Sequence, residues 1–230
     1  MNTKLGFGIW LFILLSFNSI VAQNSDVNPN TLNESFENVE QNKLPTGWMF
    51  DETNQSSSLT TWSVANDSTT PSGNKVLAVS SQNNNSGSTF NLCWTNNISF
   101  LNGEIKVLFK AKTGEEDQGG GIMWRVKDKG NYYVARFNPL EDNFRIYYIK
   151  NEYRKMIATA TVKLPLDKWN EMKITQIGNH ISGFLNGKLF VEVDTDIFNN
   201  AGGVGLWTKA DAVTSFDDFA VIIKDLAQGK

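Results

Sequence analysis

The sequence predicts an all-β fold in which two antiparallel sheets pack face to face as a sandwich. Short runs of alternating apolar and polar residues follow one another from Lys75 to Ile223, and turn residues separate them. No segment of comparable length repeats its apolar residues with a helical period. The chain has 230 residues. Because a single β-sandwich often runs to about 200–250 residues, we expect one large domain.

Each alternating run predicts one strand. The runs lie at residues 75–80, 103–111, 121–127, 132–138, 144–150, 155–162, 171–177, 181–185, 188–193, 203–208 and 215–223. Tight turns are indicated between several of them by Gly130-Asn131, Gly178-Asn179 and Asn186-Gly187. Gly and Asn tolerate the positive φ that two-residue hairpin turns require, so consecutive strands are expected to pair as antiparallel neighbours.

Residues 1–22 have the features of a signal peptide. Lys4 supplies the positive start, an apolar run follows, and Ile20-Val21-Ala22 ends on the small residue that a signal peptidase requires. The apolar run is short for a bilayer-spanning helix, and an N-terminal membrane anchor is the alternative. We therefore expect cleavage before Gln23. The mature chain would then be secreted, periplasmic or at the cell surface, with no transmembrane segment.

The mature chain divides into three parts. Residues 23–34 are polar and rich in Asn, which predicts a flexible tether. Residues 35–225 form the predicted domain, and residues 226–230 form a short tail. Within the domain, residues 51–74 and 82–88 are dense in Ser, Thr, Asn and Gly, so we expect long surface loops there.

Composition excludes several functional classes. The net charge of −3 offers no basic surface to neutralise phosphates, so no nucleic-acid partner is expected. One Cys cannot form an intramolecular disulfide framework or a Cys-based zinc cluster, and one His cannot form a multi-His metal site. No organic cofactor is indicated. Any chemistry must therefore rely mainly on carboxylates, Arg, Lys, Tyr or a bound cation.

The positions of the arginines are the most informative feature of the predicted strands. Successive side chains of a strand point to opposite faces, so Arg125 leaves the face that Trp124 occupies. The same alternation places Arg136 and Arg145 away from the apolar residues of the next two strands. If these strands are neighbours, one sheet face carries Arg125, Tyr132, Arg136, Asn138, Arg145 and Tyr147.

This face predicts a surface that binds an acidic or polyhydroxylated sugar. The planar guanidinium of Arg matches a carboxylate or sulfate with two hydrogen bonds, and an aromatic ring offers an apolar platform for a sugar face. The alternative is that the arginines pair with the nearby carboxylates Glu141, Asp142 or Asp128 and only satisfy a polar sheet face.

Three segments resemble a known superfamily. They are DQGGGIMWRVKDKGNYYVARFNPLEDNFRIYYIK, ISGFLNGKLFVEV and AGGVGLWTKADAVTSFDDFAV. They are similar to the concanavalin A-like lectins and glucanases, and within these to secreted bacterial domains grouped near laminin-G-like modules and 3-keto-disaccharide hydrolases. The resemblance covers roughly residues 36–221. It implies a jelly roll of two curved sheets with carbohydrate as the usual partner of the concave face, but it does not imply catalysis.

The segment GLWTKAD, residues 205–211, is a second candidate for ligand binding. In the families that the chain resembles, this stretch lies beside the concave face. The resemblance implies that Trp207 stacks on sugar while Lys209 or Asp211 bonds hydroxyl groups. The alternative is a core Trp followed by a solvated turn.

A structural calcium ion is a further implication of the resemblance. Many relatives hold calcium on the convex side, with one carboxylate from each of two paired terminal strands. Here the matching residues are Glu37 and Asp217, and backbone carbonyls would complete an oxygen-rich shell. The alternative is a pair of acidic residues at strand ends that are only solvated.

Catalytic patterns of the superfamily are absent or incomplete. Retaining glucanases carry E-x-D-x-x-E on one strand, whereas the nearest segment here is EVDTDI, residues 192–197. Members of the 3-keto-disaccharide hydrolase family commonly carry an Arg on one strand and a Tyr-Glu pair on the next. This chain keeps Arg125, but Tyr132 is followed by Tyr133. Glu141 and Asp142 are the weak candidates to replace the missing carboxylate.

Three functions therefore remain open. The first is a secreted carbohydrate-binding, lectin-like domain. The second is a glycoside hydrolase or lyase that acts on modified, 3-keto-type sugars, and it needs a carboxylate or a Tyr in the groove. The third is a laminin-G-like domain that binds other proteins, which an exposed apolar patch would favour.

Overall fold

The structure is a computed structural model that describes residues 29–56, 58–81 and 87–225. The predicted signal peptide and tail, residues 23–28 of the predicted tether and residues 82–86 lie outside this range. The described residues form fifteen strands and no helix. The strands are β1 (Thr31–Glu34), β2 (Trp48–Thr53), β3 (Thr61–Asn66), β4 (Lys75–Ser81), β5 (Phe90–Phe100), β6 (Gly103–Thr113), β7 (Gly120–Asp128), β8 (Asn131–Asn138), β9 (Asn143–Lys150), β10 (Tyr153–Thr161), β11 (Asn170–Ile177), β12 (His180–Leu185), β13 (Lys188–Asp194), β14 (Gly202–Lys209) and β15 (Val213–Ile223).

The strands form two antiparallel sheets, which confirms the predicted sandwich. The first sheet has the order β13-β12-β11-β6-β15-β4-β3, and β1 pairs with β15. The second sheet has the order β10-β9-β8-β7-β14-β5-β2. Apolar side chains from both inner faces, such as Phe109, Trp124 and Phe216, fill the space between the sheets. Within the part of the chain that the structure describes, no helix has the length and apolar character needed to cross a bilayer.

Every strand predicted from residue 75 onward is present, with ends that differ by at most two residues. The predicted loop at 51–74 is wrong in part, because it contains the end of β2 and all of β3. Its Ser and Thr residues alternate with the buried Trp62 and Val64, so it is a strand with one polar face. The predicted tether is also shorter than expected, since Thr31–Glu34 pair with β15.

The second sheet curls so strongly that its edge strand β2 contacts the interior strand β8 across its outer face. In a flat sheet, the four strand spacings between β2 and β8 would separate their residues by about 19 Å. Instead, the hydroxyl oxygens of Thr53 in β2 and Tyr132 in β8 lie 2.8 Å apart. Bulges in β7, β10 and β14 assist the curl, since a bulge bends a strand and increases its twist.

The curl creates a second apolar cluster on the concave face of this sheet. Its members are Phe90, Leu92, Trp94, Met123, Val126, Tyr132, Val134, Tyr147, Ile149 and Trp207. Several of these side chains, including Met123, Tyr132 and Trp207, have no exposed surface. The concave face therefore has a closed apolar floor, and its polar residues lie together at one end.

Candidate functional site

Arginine and tyrosine are concentrated in one part of the chain. The sequence contains four Arg and five Tyr, and all of them lie between residues 125 and 154. Three of the four arginines surround the ring of Tyr147. The guanidinium carbons of Arg136 and Arg154 lie 5.9 and 4.7 Å from its ring centre, and Arg145 donates to its hydroxyl at 3.4 Å. Cations over an aromatic face are attracted by its negative electrostatic potential.

Arg136 is the buried centre of this group. Only 1% of its surface is exposed, yet one of its terminal nitrogens donates to both carboxylate oxygens of Asp117 at 3.1 Å. Asp117 is equally buried and also accepts from Asn138 at 3.1 Å and from Lys209 at 2.8 Å. The buried charges are therefore paired and hydrogen-bonded, which is the condition for placing an ion pair inside a protein.

Glu141 joins the buried part of the group to solvent. Its side chain is 44% exposed, and one carboxylate oxygen accepts from Arg136 at 3.1 Å, Asn143 at 2.7 Å and Arg145 at 2.7 Å. Burial raises the pKa of Glu141, but the hydrogen bond from Asn143 and the charges of Arg136 and Arg145 outweigh it, so the net shift is downward. Glu141 is therefore an ionised carboxylate at neutral pH.

Arg154 reaches the group from the edge strand β10. Its guanidinium lies between the rings of Phe90, at 5.0 Å, and Tyr147. We call the set of Asp117, Arg136, Glu141, Arg145, Tyr147, Arg154 and Lys209 the arginine cluster. It contains four cationic side chains and two carboxylates, so it carries a positive excess in a chain whose net charge is negative. Low-dielectric walls around such a group concentrate its field.

One donor of the arginine cluster has no acceptor. The Nε of Arg136 is buried, and no described residue accepts a hydrogen bond from it. A buried donor left unpaired costs about 1–3 kcal/mol, so such groups are uncommon in folded proteins and call for an explanation. Arg154 is exposed, and among the described residues its guanidinium contacts the two rings. An oxygen-rich anion would suit the unmatched Nε of Arg136, the exposed guanidinium of Arg154 and the positive excess.

The loop between β6 and β7 brings Asp117 into the arginine cluster. Asp211 accepts from the backbone N–H groups of Glu115, Glu116 and Asp117 at 2.6, 3.1 and 2.9 Å. Burial raises the pKa of Asp211, but these backbone hydrogen bonds lower it overall. Asp211 was predicted to contact ligand; the structure instead uses it to fix this loop.

Most of the predicted ligand-binding residues do come together. Arg136, Asn138 and Lys209 contact Asp117, and Arg145 contacts Glu141 and Tyr147. The alternation of β8 and β9 predicted this for all of them except Lys209, which lies on β14 and was expected from the resemblance. Glu141, one of the two weak catalytic candidates, lies among them. Asp142 does not, because its carboxylate pairs with the exposed Lys163 at 3.1 Å. Their roles in binding or catalysis remain predictions.

The predicted position of Arg125 on this face is wrong. Arg125 has a φ of 46° and lies where the pairing of β7 with β8 changes register, so it is part of a β-bulge. Its guanidinium leaves the concave face and donates to backbone carbonyls of Leu101, Phe198 and Gly178. Arg125 therefore joins three loops at the edge of the sandwich.

Tyr132 and Trp207 lie on the concave face as predicted but are fully buried. Tyr132 accepts a hydrogen bond from the indole of Trp207 at 3.3 Å, and its hydroxyl also contacts Thr53. Burial raises the pKa of the Tyr132 hydroxyl. Both side chains belong to the closed floor, where they support the arginine cluster from below.

The missing carboxylate of the Tyr-Glu pattern would not have faced the arginine cluster. Tyr133, which stands in its place, points between the two sheets and stacks on Trp124. Its hydroxyl accepts from the backbone of Phe198 at 3.0 Å. The EVDTDI segment is equally remote, since Glu192 and Asp194 hydrogen-bond the exposed His180 on the other sheet.

The two carboxylates predicted to hold calcium have other partners. Glu37 accepts from the backbone of Asn74 and Lys75 at 2.9 and 2.7 Å. Asp217 accepts from the hydroxyl of Thr70 and from the backbone of Asp218. Among the described residues, no group of three or more His, Cys, Asp or Glu side chains is arranged to hold a metal. The terminal strands β1 and β15 pair, but Glu37 lies in the turn after β1 and not on the paired strand.

Asp217 gives the protein a pH-dependent stability. Burial raises its pKa to about 6, because an ionised carboxylate loses solvation there. A folded-state pKa above the unfolded value stabilises the protein at low pH, and this contribution is lost as the pH rises through about 6. We expect Asp217→Asn to be more stable than wild type at pH 8 by about 1–3 kcal/mol, and the difference should shrink at pH 4.5.

Urea unfolding at the two pH values measures this effect, with Asp218→Asn as the half-exposed neighbouring control. A variant that gains nothing at pH 8, or gains equally at both pH values, would show that burial of Asp217 does not govern this dependence.

Two residues of the arginine cluster were not predicted. Asp117 lies in an acidic segment whose sequence predicts an exposed turn. Its burial becomes visible only from its contacts with strands that are distant in the sequence. The position of Arg154, in contrast, could have been predicted from the sequence. The turn at Asn151-Glu152 pairs Arg154 with Ile149, which places it on the face of Arg145 and Tyr147. Starting the predicted strand at residue 155 hid this pairing.

The two curled antiparallel sheets define the class as a concanavalin A-like jelly roll. The chain belongs to the 3-keto-alpha-glucoside-1,2-lyase-like domain family, whose model matches residues 46–221. No curated protein matches the chain.

Solved structures of the same fold include sugar-binding and sugar-cleaving proteins. The carbohydrate binding module CBM66 from Bacillus subtilis has a TM-score of 0.60 and 20% identity over 76% of this chain and 96% of its own. The VIP36 exoplasmic/lumenal domain in its Ca2+/Man-bound form gives 0.57 and 11%, over 89% and 93%. The Bacillus licheniformis β-glucanase gives 0.55 and 13%, over 85% and 99%. At such identities the likeness establishes the fold alone.

Proposed function

We propose that this chain is a secreted carbohydrate-binding domain, and that the arginine cluster binds an acidic group of an oligo- or polysaccharide. The observation that carries the proposal is the excess of positive charge beside the unmatched Nε of Arg136 and the exposed guanidinium of Arg154. A carboxylate or sulfate would supply the missing acceptors, since Arg matches both groups with paired hydrogen bonds. The signal-peptide features of residues 1–22 support an extracellular location.

Two further features favour a sugar over a free anion. Sugar rings stack on aromatic faces, and the cluster borders Tyr147 and Phe90. The family is described by the chemistry of a glucoside, and structures of this fold include a carbohydrate binding module and a mannose-bound domain. A sugar would present hydroxyl groups to Asn143 and Glu141 while its acidic group faces the arginines.

The test is an array of neutral, uronic and sulfated glycans probed with residues 23–230. We expect wild type to retain uronic or sulfated glycans. The Arg145→Ala/Arg154→Ala variant should lose at least about tenfold in affinity, because each charge-assisted hydrogen bond contributes about 1.5–3 kcal/mol.

The matched control is Lys127→Ala/Lys150→Ala, which removes the same charge from exposed positions outside the cluster on the same sheet. Equal losses in both variants would indicate non-specific attraction by net charge. Retention of neutral glycans only, or of none, would overturn the proposal.

A lyase activity is the second candidate, and the exposed oxygen of Glu141 favours it. In a 3-keto-α-glucoside the C2 proton is acidic because it neighbours the ketone. A base at Glu141 would take that proton, and the C2–H electrons would form the C1=C2 double bond as the C1–O bond breaks. The leaving oxygen keeps the electrons of that bond, takes the proton back from Glu141 and departs as a neutral alcohol. The lowered pKa makes Glu141 a weak base, which is why binding is the first proposal.

Incubation with a 3-keto-α-glucoside, followed by absorbance of the conjugated enone, tests the lyase. Product from wild type and none from Glu141→Gln would place the enzyme ahead of the binding domain. Absence of product from wild type would remove it.

A further inference from the structure

We infer that the glycan bound at the arginine cluster joins its acidic unit to an uncharged unit, as a chain that alternates the two kinds of unit does. This inference rests on the proposed function and names the class of glycan more closely. It is carried by a depression that opens beside Arg154 and by the charges that border it. A chain with an acidic group on every unit would place a second anion in that depression.

The depression lies where the hairpin of β9 and β10 approaches the opposite side of the same sheet. Its volume is about 480 Å³, within the range of about 300–1,000 Å³ that is usual for ligand sites. Its lining includes Asn54, Ser88, Phe90, Asn151, Glu152 and Arg154, and we call it the hairpin depression. The side-chain amide of Asn54 donates to the backbone oxygens of Ser88 at 3.2 Å and of Glu152 at 3.5 Å, so it connects the two sides.

Arg154 belongs both to the arginine cluster and to the hairpin depression. Its exposed guanidinium lies between the ring of Tyr147, which is part of the cluster, and the ring of Phe90, which lines the depression. The guanidinium carbon is 4.7 Å from the first ring centre and 5.0 Å from the second. A glycan whose acidic group reaches Arg154 therefore has its next unit beside the depression. The two spaces are adjacent parts of one binding site.

The hairpin depression offers negative charge to that next unit. Glu152 is exposed and forms no ion pair with a described residue. A second carboxylate lies against Gly87 of the lining, since a Cβ added there would be 2.0 Å from an oxygen of Glu116. Among the described lining residues Arg154 is the cation, and the acidic group of the ligand already occupies it. An anion on the next unit would therefore face carboxylates, and like charges at short range repel.

An uncharged sugar unit suits the same lining. Carboxylates and side-chain amides accept hydrogen bonds from hydroxyl groups. Glu152 offers a carboxylate, while Asn54 and Asn151 offer amide oxygens that accept no hydrogen bond from a described residue. A site that meets the wrong ligand with an unpaired charge selects against it. The hairpin depression therefore favours a neutral, hydroxyl-bearing unit next to the acidic one.

The test compares tetrasaccharides in two series, titrated into residues 23–230 by calorimetry. In the uronic series, a hyaluronan tetrasaccharide alternates acidic and uncharged units, whereas tetragalacturonate has an acid on every unit. In the sulfated series, a κ-carrageenan tetrasaccharide alternates them, whereas per-sulfated maltotetraose does not. We expect wild type to bind the alternating member at least about fivefold more tightly in at least one series, because the second acid of the other member is repelled.

Glu152→Gln separates the charge of the hairpin depression from other differences between these glycans. Gln keeps the size of the side chain and a carbonyl oxygen for hydroxyl groups, but it removes the repulsion. The preference for the alternating tetrasaccharide should therefore fall at least about threefold, mainly through tighter binding of the fully charged one. The control Glu40→Gln removes the same charge from an exposed position between β1 and β2 and should leave the preference at its wild-type value.

Failure of the inference and failure of the proposed function give different results. If a tetrasaccharide binds but Glu152→Gln shows the same preference as wild type and Glu40→Gln, the bound glycan does not contact the hairpin depression. The inference is equally wrong if wild type binds the fully charged member as tightly as the alternating one in both series. In either case the proposed function stands. If no acidic glycan of either series binds, the proposed function itself fails and the inference falls with it.

Discussion

Replacing Arg136 by Met is expected to lower the free energy of unfolding by about 3 kcal/mol and to abolish binding of acidic glycans. The substitution keeps much of the side-chain volume but leaves Asp117 buried with one charged partner, Lys209, instead of two. Removing one member of a buried ion pair is costly because the other charge stays desolvated. Urea unfolding and glycan titration measure the two effects separately.

The control is the double variant Arg136→Met/Asp117→Asn. It removes the stranded carboxylate, so its loss of stability should be smaller than the sum of the two single losses, while binding stays absent. A single variant that costs less than about 1 kcal/mol would show that this ion pair has little effect on stability, as exposed pairs generally do.

Gly121→Ala is expected to destabilise the protein by at least about 3 kcal/mol, at the upper end of what overpacking costs. A Cβ added at Gly121 would lie 1.8 Å from the backbone oxygen of Ala135 in β8. Backbone atoms cannot rotate away as the tip of a side chain can, so β7 and β8 must separate. Gly121 is paired with Arg136 on one side and Trp207 on the other, and the shift would therefore disturb the arginine cluster directly.

Thermal unfolding of Gly121→Ala checks this, with Gly187→Asn as the control. Gly187 has a φ of 76° and no atom near its added Cβ, and Asn tolerates that conformation, so less than about 1 kcal/mol should be lost. If Gly121→Ala unfolds like wild type, the close approach of the two strands is not a requirement of the fold.

The sequence was sufficient to predict those parts of the site that depend only on the alternation of side chains along one strand. The faces of β8 and β9 follow directly from the order of Tyr, Arg and apolar residues, and this correctly placed Arg136, Arg145 and Tyr147 together. The fold class could also be predicted from the sequence, because its strands are short, alternate apolar and polar residues, and are bounded by Gly and Asn. These features need only the period of a strand and the chemistry of a turn.

The remaining features depend on long-range geometry. A bulge in β7 moved Arg125 to the edge of the sandwich, and no local signal distinguishes that bulge from a regular strand. Asp117 is buried only because β8 and the loop after β14 approach it. The curl that hides Tyr132 and Trp207 arises from contacts between residues such as Thr53 and Lys129, which are far apart in sequence.

The most direct test of the arginine cluster is the NMR spectrum of the arginine Nε–Hε groups during titration with trigalacturonate and with a sulfated trisaccharide. The chain has four arginines, so the spectrum contains four Nε–Hε signals, and each one reports ligand binding at one known position. We expect the signals of Arg136, Arg145 and Arg154 to shift with one shared affinity, with Arg136 the most affected because its Nε gains an acceptor. Arg125, already bonded to three carbonyls, should not move. Shifts confined to Arg125, or equal small shifts of all four, would contradict binding at the arginine cluster.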